Sequence, residues 1–218
     1  MTRSILAVMA VGTFLAVITA PSCKATGVGD PCTPEQEYDP TFGGFDEKEV
    51  NVESKSFQCQ TRLCLVNHFR GRVSCPYGQA SDGTSPPGIP PLASGEPDPN
   101  TKSCVVPGTT IPIVPNDPKL LKAVRAQITG PGDADRTANK AVYCSCRCAN
   151  VDGQTNDGAN YCTCPDGFAC TQLVSSIGPT DTGLTGAYCI KNGTNYDPNN
   201  VGGNDCAPVT NPCPNAVY

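Results

Sequence analysis

Tyr143-Cys144-Ser145-Cys146-Arg147-Cys148 and, one loop later, Tyr161-Cys162-Thr163-Cys164-Pro165-Asp166-Gly167-Phe168-Ala169-Cys170 hold six of the chain's fifteen cysteines. On an extended strand, residues two apart share a face, so Cys144, Cys146 and Cys148 are expected to line the same one. Three neighbours on one face do not easily pair among themselves, so each is expected to staple a different partner. Gly167-Phe168 supplies a turn before Cys170. These two runs read as stapled hairpin geometry.

Upstream, Met1-Thr2-Arg3-Ser4 is a short basic start, Ile5 to Ala20 is uncharged and mostly apolar, and Pro21-Ser22-Cys23 follows. Residues 1–22 read as a signal peptide, with Cys23 as the lipidated first residue of the mature chain. An ordinary small-x-small cut after Ser22, leaving a soluble secreted form, reads almost as well. The apolar stretch is shorter than the ~20 residues needed to span a bilayer. With Cys23 acylated, an even number of cysteines remains to pair: Cys32, Cys59, Cys64, Cys75, Cys104, Cys144, Cys146, Cys148, Cys162, Cys164, Cys170, Cys189, Cys206 and Cys213. In an exported protein such density means disulfides.

Composition supports stapling. The chain has 22 Gly and 22 Pro in 218 residues, no Trp and 6% aromatics, so its apolar core must be thin. Each disulfide contributes ~2–4 kcal/mol by restricting the unfolded chain. The number of full pairings is on the order of a hundred thousand, and the sequence selects none of them. The fold class expected is small, β-rich, loop-rich and disulfide-stapled, with one short helix. Val50–Glu53 and Leu63–Phe69 read as strands, with Arg70-Gly71 turning into Arg72–Cys75. Cys104–Val106 and Ile111–Val114 read as short edge strands. The helix is expected at Pro118–Ile128, where Leu120, Leu121, Val124 and Ile128 share a face and Asp117 can cap it. The organisation is then a signal peptide (1–22), a tether (23–45), a first cysteine-rich hairpin unit (46–80), a Pro/Gly-rich linker (81–117), a second cysteine-rich unit (118–190) and a cysteine-pinned tail (191–218).

Charge is unevenly distributed. From Asp30 to Glu53 eight acids face one base, Lys48, whereas Lys55, Arg62, Arg70 and Arg72 follow with no acid before Asp82. The two segments are expected to lie together and neutralise, or to stay solvated. Net charge is −5, and one unit lower once Arg3 leaves with the leader, so there is no electrostatic case for nucleic acid. Asp152, Asn156, Asp157 and Asn160 lie between the two cysteine runs and are weak candidate calcium ligands; the EF-hand spacing is absent, and Asn, Asp and Gly are what any tight loop uses. His68 is the single histidine, and no Cys-x-x-Cys-His, Gly-x-Ser-x-Gly, His-Glu-x-x-His or phosphate loop occurs. It reads as structural. No catalytic residue, no other metal ligand and no cofactor is predicted.

Cys162, Cys164, Gly167, Phe168 and Cys170 resemble the C-terminal half of an epidermal-growth-factor-like module over about ten residues. As a whole the chain resembles the cysteine-rich lipoproteins of myxobacterial type, through its leader, Gly29-Asp30-Pro31-Cys32, the Cys64–Cys75 stretch and the Cys144–Cys148 cluster. That resemblance implies a lipid-anchored envelope protein and brings no activity with it. The function expected is a structural or recognition role at the bacterial envelope, at the outer membrane or cell surface. Its partners would be the membrane, through the lipid, and an envelope protein or glycan met by the loops Gly153–Asn160 and Ser175–Gly186. The competing readings are an envelope enzyme or redox protein with a site that no linear pattern shows, and a calcium-dependent adhesion module.

Overall fold

The computed structural model describes residues 27–76, 78, 79, 104–113, 124, 127, 136–175 and 184–196. Two three-stranded antiparallel sheets carry the fold. The first has the order β1-β2-β3, from β1 (Val50–Glu53), β2 (Cys64–Asn67) and β3 (Val142–Cys144). The second has the order β4-β6-β5, from β4 (Arg147–Ala149), β5 (Phe168–Val174) and β6 (Gly186–Lys191). A single turn of helix, α1 (Ala138–Ala141), runs into β3, and a 3-10 turn covers Glu35–Tyr38. The fold is thus β-rich, loop-rich and disulfide-stapled, and α1 is the one short α-helix among the described residues.

The central strands, β2 and β6, are almost wholly buried. Cys64-Leu65-Val66-Asn67 is buried at all four positions, because β2 is paired on both edges: Val66 lies opposite Asn51 and Val142, and Leu65 opposite Val52 and Tyr143. The chain passes from the first sheet to the second at Ser145. Its N–H donates to the Leu63 carbonyl (3.0 Å) and its hydroxyl to the Cys189 carbonyl (2.9 Å). Leu63, Leu65, Tyr143, Tyr188 and Ile190 form one apolar cluster drawn from both sheets. Tyr143 sets its ring edge-on to Phe168, with centroids 5.7 Å apart, and accepts a bond from the Lys191 N–H. The two cysteine-rich stretches therefore share a core.

Six disulfides are present among the described residues: Cys32–Cys64, Cys59–Cys144, Cys75–Cys104, Cys146–Cys162, Cys148–Cys170 and Cys164–Cys189. Cys23, Cys206 and Cys213 lie outside the described residues. Cys64 faces Cys144 across β2 and β3, and Cys170 faces Cys189 across β5 and β6, yet neither facing pair is bonded. Cys32, Cys59 and Cys164 reach in from irregular segments instead, so these bonds tie loops to sheets already held by backbone ladders. The single cysteine face expected over 144–148 is not formed. Cys144 packs with Cys32, Cys59 and Cys64, while Cys146 and Cys148 pack with Ala149, Ala187 and Cys189, because the handover at Ser145 splits the run between two sheets.

Three local readings are corrected by tertiary pairing. Of the helix expected over Pro118–Ile128 only Val124 and Gln127 lie within the described residues. Val124 exchanges both backbone bonds with Gln79 (2.8 and 3.0 Å), a β-bridge that a helical residue cannot make. The other residues of that expected helix lie outside the described residues. Arg72–Cys75 is a tight turn closed by Cys75 N–H to Arg72 O, because the Glu37 carboxylate takes the N–H groups of Val73 (2.7 Å) and Ser74 (3.1 Å) that a strand would have used. From Gly27 onward the stretch read as a tether is built into the fold: Gly29 N–H donates to Cys144 O and Cys144 N–H to Asp30 O. The linker region does contain a small hairpin. Val106 pairs with Ile111 and Ile113 with Cys104, about a turn in which Pro107 precedes Gly108 at φ +71°, the order a type II turn requires.

The acidic and basic segments do neutralise one another. Arg72 and Glu37 are both fully buried, 3.7 Å apart, and the guanidinium also donates to the carbonyls of Glu37, Asp39 and Phe42. Arg70 and Glu47 form a second pair at 3.9 Å. Buried charges persist only when paired, as both of these are, and the Glu37–Arg72 pair is hydrogen-bonded to the backbone around it as well.

Candidate functional site

The loop 150–160, expected as a recognition or calcium loop, is exposed from Val151 to Asn160. Of Asp152, Asn156, Asp157 and Asn160, only the Asp157 side chain enters its hydrogen-bonded knot. That carboxylate accepts from Tyr161 Oη (2.6 Å), Ala159 N (3.1 Å) and Asn150 Nδ2 (3.1 Å), and Arg147 donates to the Tyr161 hydroxyl while lying 4.9 Å over its ring. The Tyr161 hydrogen bond, followed by that of Ala159, holds the Asp157 carboxyl below the usual aspartate range. The knot is the chemistry of a tight loop. The second expected loop, Ser175–Gly186, lies mostly outside the described residues.

His68 joins none of the cysteine groups. Its Nδ1 is 2.9 Å from the Glu47 carbonyl, its ring stacks on Tyr196 at 3.9 Å, and its own carbonyl accepts from Arg136. Among the described residues, the groups of three His, Cys, Asp or Glu side chains close enough to share an ion are all cysteines, and every one of these is in a disulfide.

A groove that sequence reasoning missed lies beside β1. One wall is the segment 33–38 and the other the end of β1 with the loop 53–58. The side-chain amide of Gln58 pairs with the backbone of Thr33 in both directions (2.8 and 2.9 Å), as a neighbouring strand would. Glu35 N–H donates to Glu53 Oε2 at 3.0 Å. Below these contacts the walls are joined covalently to the core, for Thr33 follows Cys32 and Gln58 precedes Cys59, and the sulfurs of Cys32, Cys59 and Cys144 lie within 4.8 Å of one another.

Two adjoining hollows of about 420 and 260 Å³ share Glu35, Glu53 and Lys55. Tyr38 and Phe57 flank the larger one, and both are exposed, Phe57 to 86%. Ser56 lies buried in its lining, and the Ser56 hydroxyl has no hydrogen-bond partner. Partial burial raises the Glu53 carboxyl above its ordinary value; the Glu35 N–H opposes this and the Glu35 charge adds to it. Two acids therefore meet in one place, the condition under which the lack of a linear motif misleads. Glu35 is exposed and the groove is open to solvent. The carboxylates of Glu35 and Glu53 offer hydrogen-bond acceptors beside the Lys55 ammonium, which donates. The signal in the sequence was slight: Lys55-Ser56-Phe57-Gln58 is a lone aromatic in a polar stretch, without periodicity.

Dense disulfide bonding marks a protein that folds in an extracellular or otherwise oxidising environment. No helix among the described residues is long and apolar enough to cross a membrane. Compared with protein families, with characterised proteins and with solved structures, the chain matches none of them.

Proposed function

We propose that this is an exported protein of the bacterial cell envelope, anchored by lipid on Cys23, that acts as a recognition or structural component and not as a catalyst. The observation that carries the reading is the stapling itself: two small sheets fixed by six disulfides, with polar loops held at their ends and left exposed. Such a body needs an oxidising compartment to form, and the apolar leader before Cys23 supplies the route there. Gly27 follows Cys23 by four residues, so an anchored chain keeps its folded body within about 14 Å of the lipidated residue. That is a short leash, fit for a surface component that works close to the membrane.

Metabolic labelling with a fatty acid tests the anchor. Label is expected in the full-length chain and not in Cys23→Ser, and labelling that survives the substitution overturns the anchor. Intact mass before and after reduction, on the same samples, reports the lipid and the number of disulfides together.

A further inference from the structure

We propose that the groove between 33–38 and 53–58 is a saccharide site, taking a β-1,4-linked chain of hexopyranose rings with equatorial substituents, and that Phe57 is its stacking face. This deepens the recognition reading and rests on it, but does not depend on the lipid. Phe57 is the most exposed large apolar side chain among the described residues. It is also held in place: the Arg62 guanidinium lies 4.1 Å from the centre of its ring and covers one face. Arg62 adopts φ +63°, which a non-glycine residue does only where its surroundings impose it. Here Arg62 N–H donates to Cys59 O (2.9 Å) and Arg62 O accepts from Ser56 N–H (3.0 Å), so the loop closes on a disulfide-bonded cysteine. The other face of the ring is presented to solvent.

A pyranose ring with equatorial hydroxyls points its C–H bonds axially and so offers flat apolar faces with a polar rim. The face suits Phe57. The rim suits what surrounds it, since carboxylates only accept, an ammonium only donates, and a sugar hydroxyl does both. Glu35 and Glu53 beside Lys55 make that mixed set, which a ligand of either single charge would meet half unfavourably. The unpartnered Ser56 hydroxyl adds a polar group that the protein itself leaves unsatisfied. The two hollows continue into each other through the shared acids, giving room for more than one ring. With both walls tied by disulfides, little ordering cost remains to be met on binding.

Calorimetric titration of the oxidised mature chain with two probes, the β-1,4 tetramers of N-acetylglucosamine and of glucose, tests this. At least one is expected to bind with a Kd between about 10 μM and about 1 mM. Phe57→Ala is expected to weaken it about tenfold, with an unchanged thermal midpoint because the side chain is exposed, and Glu53→Gln several-fold. Absence of binding by both tetramers overturns the site, as does wild-type affinity in Phe57→Ala. Cleavage of a tetramer would uphold the saccharide site while overturning the non-catalytic reading above, and loss of the lipid result would leave this site standing.

Discussion

His68 is constrained through its backbone, its ring and its carbonyl at once. Its backbone is at φ +51°, its ring lies flat on Tyr196, and Arg136 bonds its carbonyl from the other side. Burial lowers its pKa below the ordinary 6.5; the hydrogen bond to the Glu47 carbonyl opposes this, and the Arg136 charge adds to the lowering. The folded state therefore binds the proton less readily than the unfolded one. The stability that follows is present above pH 6.5 and is lost as pH falls from there through the lower, folded-state pKa. As the chain has one histidine, the slope in this range is assignable. Thermal midpoints of wild type and His68→Asn, measured from about pH 7.5 to about pH 5.5, should show a fall in the wild type that the variant lacks. Asparagine tolerates the left-handed backbone, so the comparison isolates the charge. Parallel curves would remove His68 as the cause.

At the level of elements, the approach of β4 to β6 is set by one glycine. Gly186 opens β6 at φ +131°, and a Cβ there would stand 2.3 Å from the Ala149 carbonyl of β4. Gly186→Ala must push these strands apart or break the pairing of Ala149 with Ala187. The expected cost exceeds about 1 kcal/mol, read as a lower denaturant midpoint of the oxidised protein. An unchanged midpoint would mean that the strands do not approach so closely. In sequence Gly186 closes a loop-like stretch; its role as a contact surface exists only once β4 lies against it. Val50–Glu53, by contrast, was legible to the residue, since Val-Asn-Val-Glu alternates and the strand lies at the edge of its sheet. Arg72–Cys75 was not, because the carboxylate that consumes its N–H groups comes from Glu37, far back in the chain.

Across the whole molecule the disulfides differ in reach. Cys59–Cys144 spans 85 residues and ties the early segment to β3, whereas Cys146–Cys162 spans 16. Loop-closure entropy assigns about 4.5 kcal/mol to the first and about 3 kcal/mol to the second. Cys59→Ala with Cys144→Ala should therefore lower the unfolding midpoint more than Cys146→Ala with Cys162→Ala. It should also loosen the groove, since Cys59 anchors the loop that carries Phe57 and Arg62. The check is denaturant unfolding of both double variants in oxidised form, and the reverse order would show that local packing around the second cluster outweighs loop entropy.

What the sequence by itself determined is what depends on near neighbours and on composition: a β-rich, loop-rich class, turns at glycine and proline, a thin core, and cysteines that must pair. Tertiary structure alone decided which cysteines pair, because all pairings look alike locally and differ only in which sheets and loops come together. It also decided that Glu35, Glu53, Ser56 and Phe57 share one groove. They belong to segments with no hydrophobic period to align them, and what aligns them is a pair of disulfides, from Cys32 and Cys59, that converge on neighbouring strands of one sheet.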